Sequence, residues 1–220
     1  MTRLGVVSDV HGNLVALEAV LADLPPVDGL VCAGDVVGYN PWPAACIDAL
    51  RERGVRSVQG NHDRAAASGD ADWFNSMAVA GIEHARRELS SAHLEWLRSL
   101  PTERVVADGR VKLVHGHPDD PDRYTRRREV TADLLGDEAV LVLGHTHVQF
   151  TERFDQGVVM NPGSVGQPRD GDPRAAYGVL DLDSMAVDER RVAYDVERVE
   201  RAIEAAGLPA ALGARLYEGR

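Results

Sequence analysis

Polar side chains that are able to bind metal follow five apolar runs that are typical of β-strands. The clusters are Asp9-Val10-His11, Gly34-Asp35, Gly60-Asn61-His62-Asp63, His115 and Gly144-His145-Thr146-His147. In open α/β sheets, ligands bind beyond the carboxyl ends of the strands, so we expect these clusters to meet at one edge. Five of the eight histidines lie in them. Burying these imidazoles beside carboxylates without a cation would leave polar groups unsatisfied, which predicts a metal centre.

The types of donor indicate which ions would bind. Carboxylate, amide oxygen and imidazole without thiolate favour Mn, Fe, Zn, Ni or Co over Ca or Mg. A closed tetrahedral site takes four ligands, and the clusters supply more than four. Two ions that share one carboxylate would use the full set of donors. Two ions about 3.5–4 Å apart clamp phosphate oxygens and acidify a water between them. The chemistry predicted is therefore in-line attack of a metal-bridging hydroxide on a phosphoester.

The first hundred residues alternate between short apolar runs and helical periodicity. Strands are predicted at residues 4–7, 29–33 and 55–58, with helices at 14–24 and 44–53 between them. This βαβαβ order is typical of parallel sheets with helical crossovers. Helical periodicity continues over residues 74–89 and 92–100, and Pro101 ends it.

Strands joined by short connections dominate after Pro101. They are predicted at residues 103–107, 112–115, 140–143, 149–154, 158–160, 176–181 and 186–192, with a hairpin turn at Asp155-Gln156-Gly157. Residues 195–217 have helical periodicity, interrupted at Gly207-Leu208-Pro209. The fold class expected is α/β, a four-layer α/β/β/α sandwich of two mixed β-sheets flanked by helices. No linker or repeat divides the chain, so residues 1–220 are predicted to form a single domain.

Charge and hydropathy exclude several classes of function. The formal net charge is −11, which disfavours a protein that binds long nucleic acid through its phosphate backbone. No run approaches the roughly 20 apolar residues of a membrane helix, and no secretion signal is evident at the start. We therefore expect a cytoplasmic protein without a membrane partner, and a homodimer is predicted through hydrophobic surface on the C-terminal helices.

In their order along the chain, the five clusters resemble the complete motif set of the calcineurin-like binuclear metallophosphoesterases. The resemblance spans residues 4–166, and the run Asn161-Pro162-Gly163-Ser164-Val165-Gly166 is similar to the small prokaryotic phosphodiesterase branch. It implies that one ion is held by Asp9, His11, Asp35 and His147, and the other by Asp35, Asn61, His115 and His145. Manganese is the expected metal, with Fe, Ni, Zn and Co as alternatives.

The resemblance also implies roles for two residues beside the ligands. His62 is expected to lie next to the substrate, where it stabilises the phosphate or protonates the leaving oxygen. Asp63 is expected either to orient His62 by accepting its hydrogen bond or to cap the following helix.

Candidate substrate contacts lie around these motifs. They are Arg64, Tyr39, His117, Asn161 and Ser164, together with the arginines 123 and 126–128, although a run like 126–128 is more typical of a solvated surface. The function predicted is a metal-dependent phosphodiesterase acting on a small phosphodiester or nucleotide. The alternatives are a phosphomonoesterase, a non-catalytic metal-binding interaction module on the same fold, and a regulator whose metal site senses rather than hydrolyses.

Overall fold

Two five-stranded mixed β-sheets lie face to face at the centre of the computed structural model, which describes residues 2–220. The first contains, in spatial order, β10 (Ala186–Val192), β9 (Ala175–Asp181), β1 (Arg3–Val7), β2 (Gly29–Cys32) and β3 (Arg56–Ser57). The second contains β4 (Glu103–Val106), β5 (Val111–Val114), β6 (Val140–Val142), β8 (Gly157–Asn161) and β7 (Phe150–Phe154). Strands β1 to β3 are parallel, as are β5, β6 and β8, and the other four are antiparallel to a neighbour. The prediction of two mixed sheets is confirmed.

The alternation of side chains along the strands explains how the sheets pack. In β6, Val140 and Val142 point into the cluster between the two sheets, which also contains Val6 and Leu180 of the first sheet. Leu141 points to the opposite face. Because both faces of this parallel strand are buried, its sequence is continuously apolar instead of alternating.

Seven α-helices accompany the sheets within residues 2–220. They are α1 (Leu14–Asp23), α2 (Pro43–Glu52), α3 (Asn61–Ser68), α4 (Ser76–Glu88), α5 (Ser91–Ser99), α6 (Val196–Ala205) and α7 (Ala211–Ala214). The first five share one hydrophobic cluster with the outer face of the first sheet. In this part of the chain, no helix combines the length and the apolar composition that crossing a bilayer requires.

The outer face of the second sheet has a thinner cover than the sequence predicts. Two short 3-10 helices, Arg127–Glu129 and Ala132–Leu134, lie in the segment that packs there. Leu134 and Leu135 contact the cluster formed by Leu141 and its neighbours on this face. The four-layer sandwich is confirmed, with a fourth layer that the described residues build from 3-10 turns instead of α-helices.

The C-terminal helices separate at residues 207–209, as the sequence predicts. Their apolar side chains pack inside the chain. Ile203, Leu212 and Leu216 are buried in a cluster that also contains Tyr39 and Ala78. The apolar side of these helices is therefore not the free surface from which the homodimer was inferred, and a homodimer stays a prediction without that support.

Candidate metal centre

The polar clusters at the strand ends converge on one buried site. Asp9 and His11 follow β1, Asp35 follows β2, Asn61, His62 and Asp63 follow β3, His115 follows β5, and His145 and His147 follow β6. None of these nine side chains belongs to a residue more than 4% exposed. The parallel strands of both sheets end at this edge, so residues up to 138 positions apart in the sequence meet there.

The backbone is held in an uncommon conformation at several candidate ligands. Positive φ angles occur at five of them, Asp9, His11, Asp35, His145 and His147. Such angles are strained for residues other than glycine and concentrate at functional sites. Hydrogen bonds secure them: the Asp9 amide donates to the Gly34 carbonyl at 2.9 Å, and the His11 amide to the Asp35 carbonyl at 2.9 Å.

Gly60 allows the end of β3 to approach the second cluster closely. A Cβ at this position would lie 2.0 Å from Asp35 Oδ1 and 2.4 Å from the Asp35 nitrogen. Any larger residue would therefore push the third cluster away from Asp35.

Asp9, His11 and His147 form one group of possible ligands, with one donor atom from each within 4.8 Å of the others. Asp9 Oδ1 lies 3.2 Å from His147 Nε2 and has no hydrogen-bond partner. His11 Nδ1 donates to the Val37 carbonyl at 3.1 Å, and His147 Nδ1 to the Gln167 carbonyl at 2.6 Å. Burial lowers the pKa of both imidazoles, so each carries its single proton on Nδ1.

The resulting arrangement fits a cation. The two Nε2 atoms of His11 and His147 are 3.0 Å apart, and both are acceptors because their Nδ1 atoms hold the protons. Two lone pairs and an unpartnered carboxylate oxygen thus face one another in a dry interior. A divalent ion with oxygen and nitrogen ligands satisfies all three atoms, and the carbonyl partners orient both rings toward it.

Asp35, His115 and His145 form a second group at the same spacing. Asp35 Oδ2 lies 3.3 Å from His115 Nε2, which also contacts Asn61 Oδ1 at 3.0 Å. Burial lowers the pKa of His115, but the Asp35 carboxylate more than offsets it and the pKa rises to about 10. In the absence of metal the two side chains therefore form a buried ion pair.

Asp35 connects the two groups. Its Oδ2 is also 3.6 Å from His11 Nε2, and a third group of possible ligands consists of His11, Asp35 and His62. Burial opposes the ionisation of Asp35, but His115 and His62 hold its pKa well below the usual range. One carboxylate thus faces both halves of the site.

His62 is enclosed by aromatic rings at the edge of the centre. Its ring centroid lies 4.6 Å from that of Tyr39, 4.8 Å from Phe74 and 4.8 Å from His11. Its Nδ1 atom is buried and has no hydrogen-bond partner. Burial lowers the pKa of His62 to about 4, although the Asp35 carboxylate acts to raise it. The ring is therefore neutral at pH 7 in the metal-free protein.

The structure favours the helix-capping alternative for Asp63 over a hydrogen bond to His62. The Asp63 carboxylate accepts hydrogen bonds from the backbone amides of Val36 at 2.9 Å, Val37 at 3.1 Å and Gly60 at 3.1 Å. These bonds close the first turn of α3 and tie it to the segment after β2. Asp63 therefore positions the backbone of the metal centre.

We expect Asp63→Ala to destabilise the fold strongly. The substitution leaves three buried amide donors without an acceptor, each of which costs about 1–3 kcal/mol. The matched control is Asn75→Ala, which removes the N-cap of α4 and its bonds to the amides of Met77 and Ala78, with an expected loss of about 1 kcal/mol. Urea unfolding measures the loss of unfolding free energy in each variant. Equal losses would mean that Asp63 is only an ordinary helix cap.

Three predicted substrate contacts are occupied by bonds within the protein. Asn161 Nδ2 donates to the Gly144 carbonyl at 2.7 Å and its Oδ1 accepts from the Gly163 amide. Ser164 Oγ donates to the Asp9 carbonyl at 2.7 Å and accepts from the Gln167 amide. His117 Nδ1 accepts from the Asp119 amide at 3.1 Å. Asn161 and Ser164 thus hold the loops that carry the candidate ligands His145 and Asp9, and His117 closes a turn.

Tyr39 and Arg64 do lie beside the centre. The Tyr39 ring contacts His11 as well as His62, at a centroid distance of 4.7 Å from His11. Arg64 forms an ion pair with Asp122 and lines a cleft that Asn61 also borders.

Two neighbours of the centre were missed as site residues in the sequence. Arg169 donates to Tyr39 Oη at 3.2 Å and to Gln167 Oε1 at 2.8 Å. Tyr124 stacks on the His145 ring at a centroid distance of 3.9 Å. Both lie in loops outside the five clusters, and the only sequence signal was the position of Arg169 just after the Asn161–Gly166 run.

Comparison with known proteins identifies the family. A model of the calcineurin-like phosphoesterase superfamily domain matches residues 2–185. The chain belongs to this superfamily. It is therefore a metal-dependent phosphoester hydrolase, and the resemblance in the sequence motifs is confirmed. The family uses divalent metals, in agreement with the ligand groups of the phosphoesterase.

Individual relatives align over most of the phosphoesterase. A solved metallophosphoesterase from Sphaerobacter thermophilus is 36% identical, with a TM-score of 0.87, over 100% of this chain and 99% of that chain. An uncharacterised protein of Methanocaldococcus jannaschii is 31% identical over 100% of this chain and 99% of its own length. The phosphodiesterase YfcE of Escherichia coli is 31% identical over 85% of this chain and 91% of YfcE.

Proposed function

We propose that this phosphoesterase hydrolyses a small phosphodiester or nucleotide with the help of two divalent metal ions. The observation that carries this proposal is that two clefts border the candidate metal centre. One, of about 440 Å³, is lined by Tyr124, whose ring stacks on the candidate ligand His145. The other, of about 240 Å³, begins at Asn61 and contains Arg64 and Trp73. A phosphodiester has two substituents on phosphorus, one for each cleft, whereas a monoester has one.

The proposed ligand sets follow from the two groups that share Asp35. Asp9, His11, Asp35 and His147 would hold one ion, and Asp35, Asn61, His115 and His145 the other. When bound, such ions clamp the phosphate oxygens and activate a water for attack in line with the leaving group. Manganese is our proposed metal, and Fe, Ni, Zn and Co suit the same donors.

The protein's own residues would position the phosphate and supply a proton. Tyr39 and Phe74 hold the His62 ring against the centre. An anionic phosphate beside His62 would raise its pKa, because the charged imidazolium is stabilised by the opposite charge. His62 would then donate its proton to the leaving oxygen.

Hydrolysis of two chromogenic esters tests the proposal. The purified protein is stripped of metal, refilled with Mn²⁺ and assayed with bis-p-nitrophenyl phosphate and p-nitrophenyl phosphate, while bound metal is counted by mass spectrometry. We expect two ions per chain and faster, metal-dependent turnover of the diester. A preference for the monoester would identify a phosphomonoesterase. Two bound ions without turnover of either ester would instead favour the interaction module or the sensor.

A further inference from the structure

We propose that the larger cleft binds a second anionic group, so that the substrate is a phosphodiester carrying at least one further phosphate. This inference rests on the proposed function. The cleft of about 440 Å³ is bordered by Thr146, Tyr124, Arg169 and the consecutive arginines 126–128. Two of these residues also contact the centre: Tyr124 stacks on the candidate ligand His145, and Arg169 bonds to Tyr39, whose ring contacts His11. A group bound in the cleft would therefore lie next to one bound at the centre.

Three of the four arginines in the cleft have no acidic partner. Arg127 forms an ion pair with Glu152 at 2.6 Å. Within residues 2–220, no carboxylate lies within 4 Å of the guanidinium of Arg126, Arg128 or Arg169. The formal net charge of the chain is −11, so acidic side chains are plentiful elsewhere. A group of like charges without ion pairs in such a protein is complementary to an anionic ligand.

Glu129 follows this run directly in the sequence, and its charge acts on Arg126 and Arg128 without an ion pair to either. Its carboxylate accepts a hydrogen bond from the Arg126 backbone amide at 2.9 Å and thereby caps the 3-10 turn.

Arg169 is fixed in place with donors to spare. Its Nε and Nη2 atoms bond to Gln167 Oε1, and Nη2 also bonds to Tyr39 Oη. Among the contacts of residues 2–220, its Nη1 atom makes no hydrogen bond. Guanidinium groups bind phosphate through paired N–H donors, and a side chain that is already held loses little freedom when it binds. Arg169 therefore suits a phosphate that lies between the metal centre and Arg126–Arg128.

Tyr124 adds an aromatic surface to the same cleft. The residue is 43% exposed, and the Arg126 guanidinium lies 5.7 Å from the centroid of its ring. One face of the Tyr124 ring is stacked on His145, so a base would stack on the other face, beside the Arg126 guanidinium and next to its own phosphates. The geometry thus points to a nucleotide with more than one phosphate.

Two substrates that differ only in phosphate number test this inference. They are the p-nitrophenyl ester of thymidine 5′-monophosphate and the γ-p-nitrophenyl ester of thymidine 5′-triphosphate. Cleavage at the aryl oxygen releases p-nitrophenol from either ester, and added alkaline phosphatase frees it from any p-nitrophenyl phosphate that forms when the other bond to phosphorus breaks. With the Mn²⁺-loaded protein we expect the KM of the triphosphate ester to be lower by about tenfold or more, because charge-assisted bonds to phosphate are strong. In the double variant R126Q/R128Q, and separately in Arg169→Gln, this KM ratio should fall toward one.

The control variant is Arg87→Gln. It removes the same charge, but Arg87 is exposed on α4 and does not border the cleft. We expect Arg87→Gln to keep the KM ratio within about twofold of the unmodified protein. Equal loss in Arg87→Gln would reduce the effect to general electrostatics and overturn the inference.

The remaining outcomes separate the inference from the proposed function. Hydrolysis of both esters with equal KM would overturn the inference and leave the phosphodiesterase proposal intact. A tenfold ratio that survives all the arginine substitutions would place the second anion elsewhere and overturn the inference. Failure to hydrolyse either ester would overturn the proposed function and the inference with it.

Discussion

Asp35→Asn is expected to abolish turnover, with kcat/KM for bis-p-nitrophenyl phosphate reduced by about 10³-fold or more. Asparagine keeps the shape of the side chain and the acceptor for the His62 amide, which bonds to Asp35 Oδ1 at 2.8 Å. It removes the negative charge that lies 3.3 Å from His115 and 3.6 Å from His11. Because this charge serves both ligand groups, its loss weakens both proposed metal sites at once.

Metal content and kinetics measured on the same preparation check this expectation. Mass spectrometry after dialysis should show fewer bound ions per chain in Asp35→Asn than in the unmodified protein. Asp188→Asn is the control, because it removes an exposed carboxylate that pairs only with Arg190 at the surface. We expect kcat/KM and metal content in Asp188→Asn to stay within about twofold of the unmodified protein. Retention of two ions and of normal kcat/KM in Asp35→Asn would refute the shared-ligand role.

His62→Gln is expected to lower kcat by about 10²–10⁴-fold, the range for the loss of a general acid. The metal content should stay unchanged, because His11 and Asp35 each have other partners in the ligand groups. Glutamine retains polarity and roughly the volume between Tyr39 and Phe74, so the fold should persist. Stopped-flow or steady-state release of p-nitrophenol, combined with metal analysis, provides the measurement.

The metal content decides between two roles for His62. His62 also belongs to a group with His11 and Asp35 that has the spacing of a metal site. If His62→Gln loses an ion together with its activity, His62 is a ligand and not a proton donor. His93→Gln is the control, because His93 lies at the surface of α5 and contacts Asp48 at 3.2 Å. The kcat and the metal content of His93→Gln should equal those of the unmodified protein.

Local patterns were sufficient for most of the strands and for the convergence of the ligands. The apolar run before Asp9 and the one before His145 each predict a buried strand, and the structure has β1 and β6 there. The ligands follow the strands because parallel strands present their carboxyl ends at one edge. The periodicity of apolar residues does not predict helix α3. Its eight residues begin within the metal motif itself, and its N-cap is Gly60, which has no side chain to mark a helix start.

Side-chain roles depended on partners that are distant in the sequence. The sequence predicts that Asp63 either orients His62 or caps a helix, and the bond from the Gly60 amide fits the cap. The bonds from the amides of Val36 and Val37, 27 and 26 residues away, belong to neither alternative. Ser164 appeared to be a substrate contact, but its hydroxyl bonds to the Asp9 carbonyl 155 residues away. Spacing along the chain carries no information about such pairs.

The sequence by itself determined the type of chemistry, because the residue types and their order after the strands define a cation site and match one family. It also determined the two mixed sheets, through the period of the apolar residues. Only the tertiary structure decided which polar atoms are left for a ligand. The fold brought His11 next to His147 across 136 residues, placed Tyr124 on His145 and bonded Arg169 to Tyr39. The physical reason is that hydrogen bonding and charge pairing are settled by packing in three dimensions, after the strands have brought separate loops together.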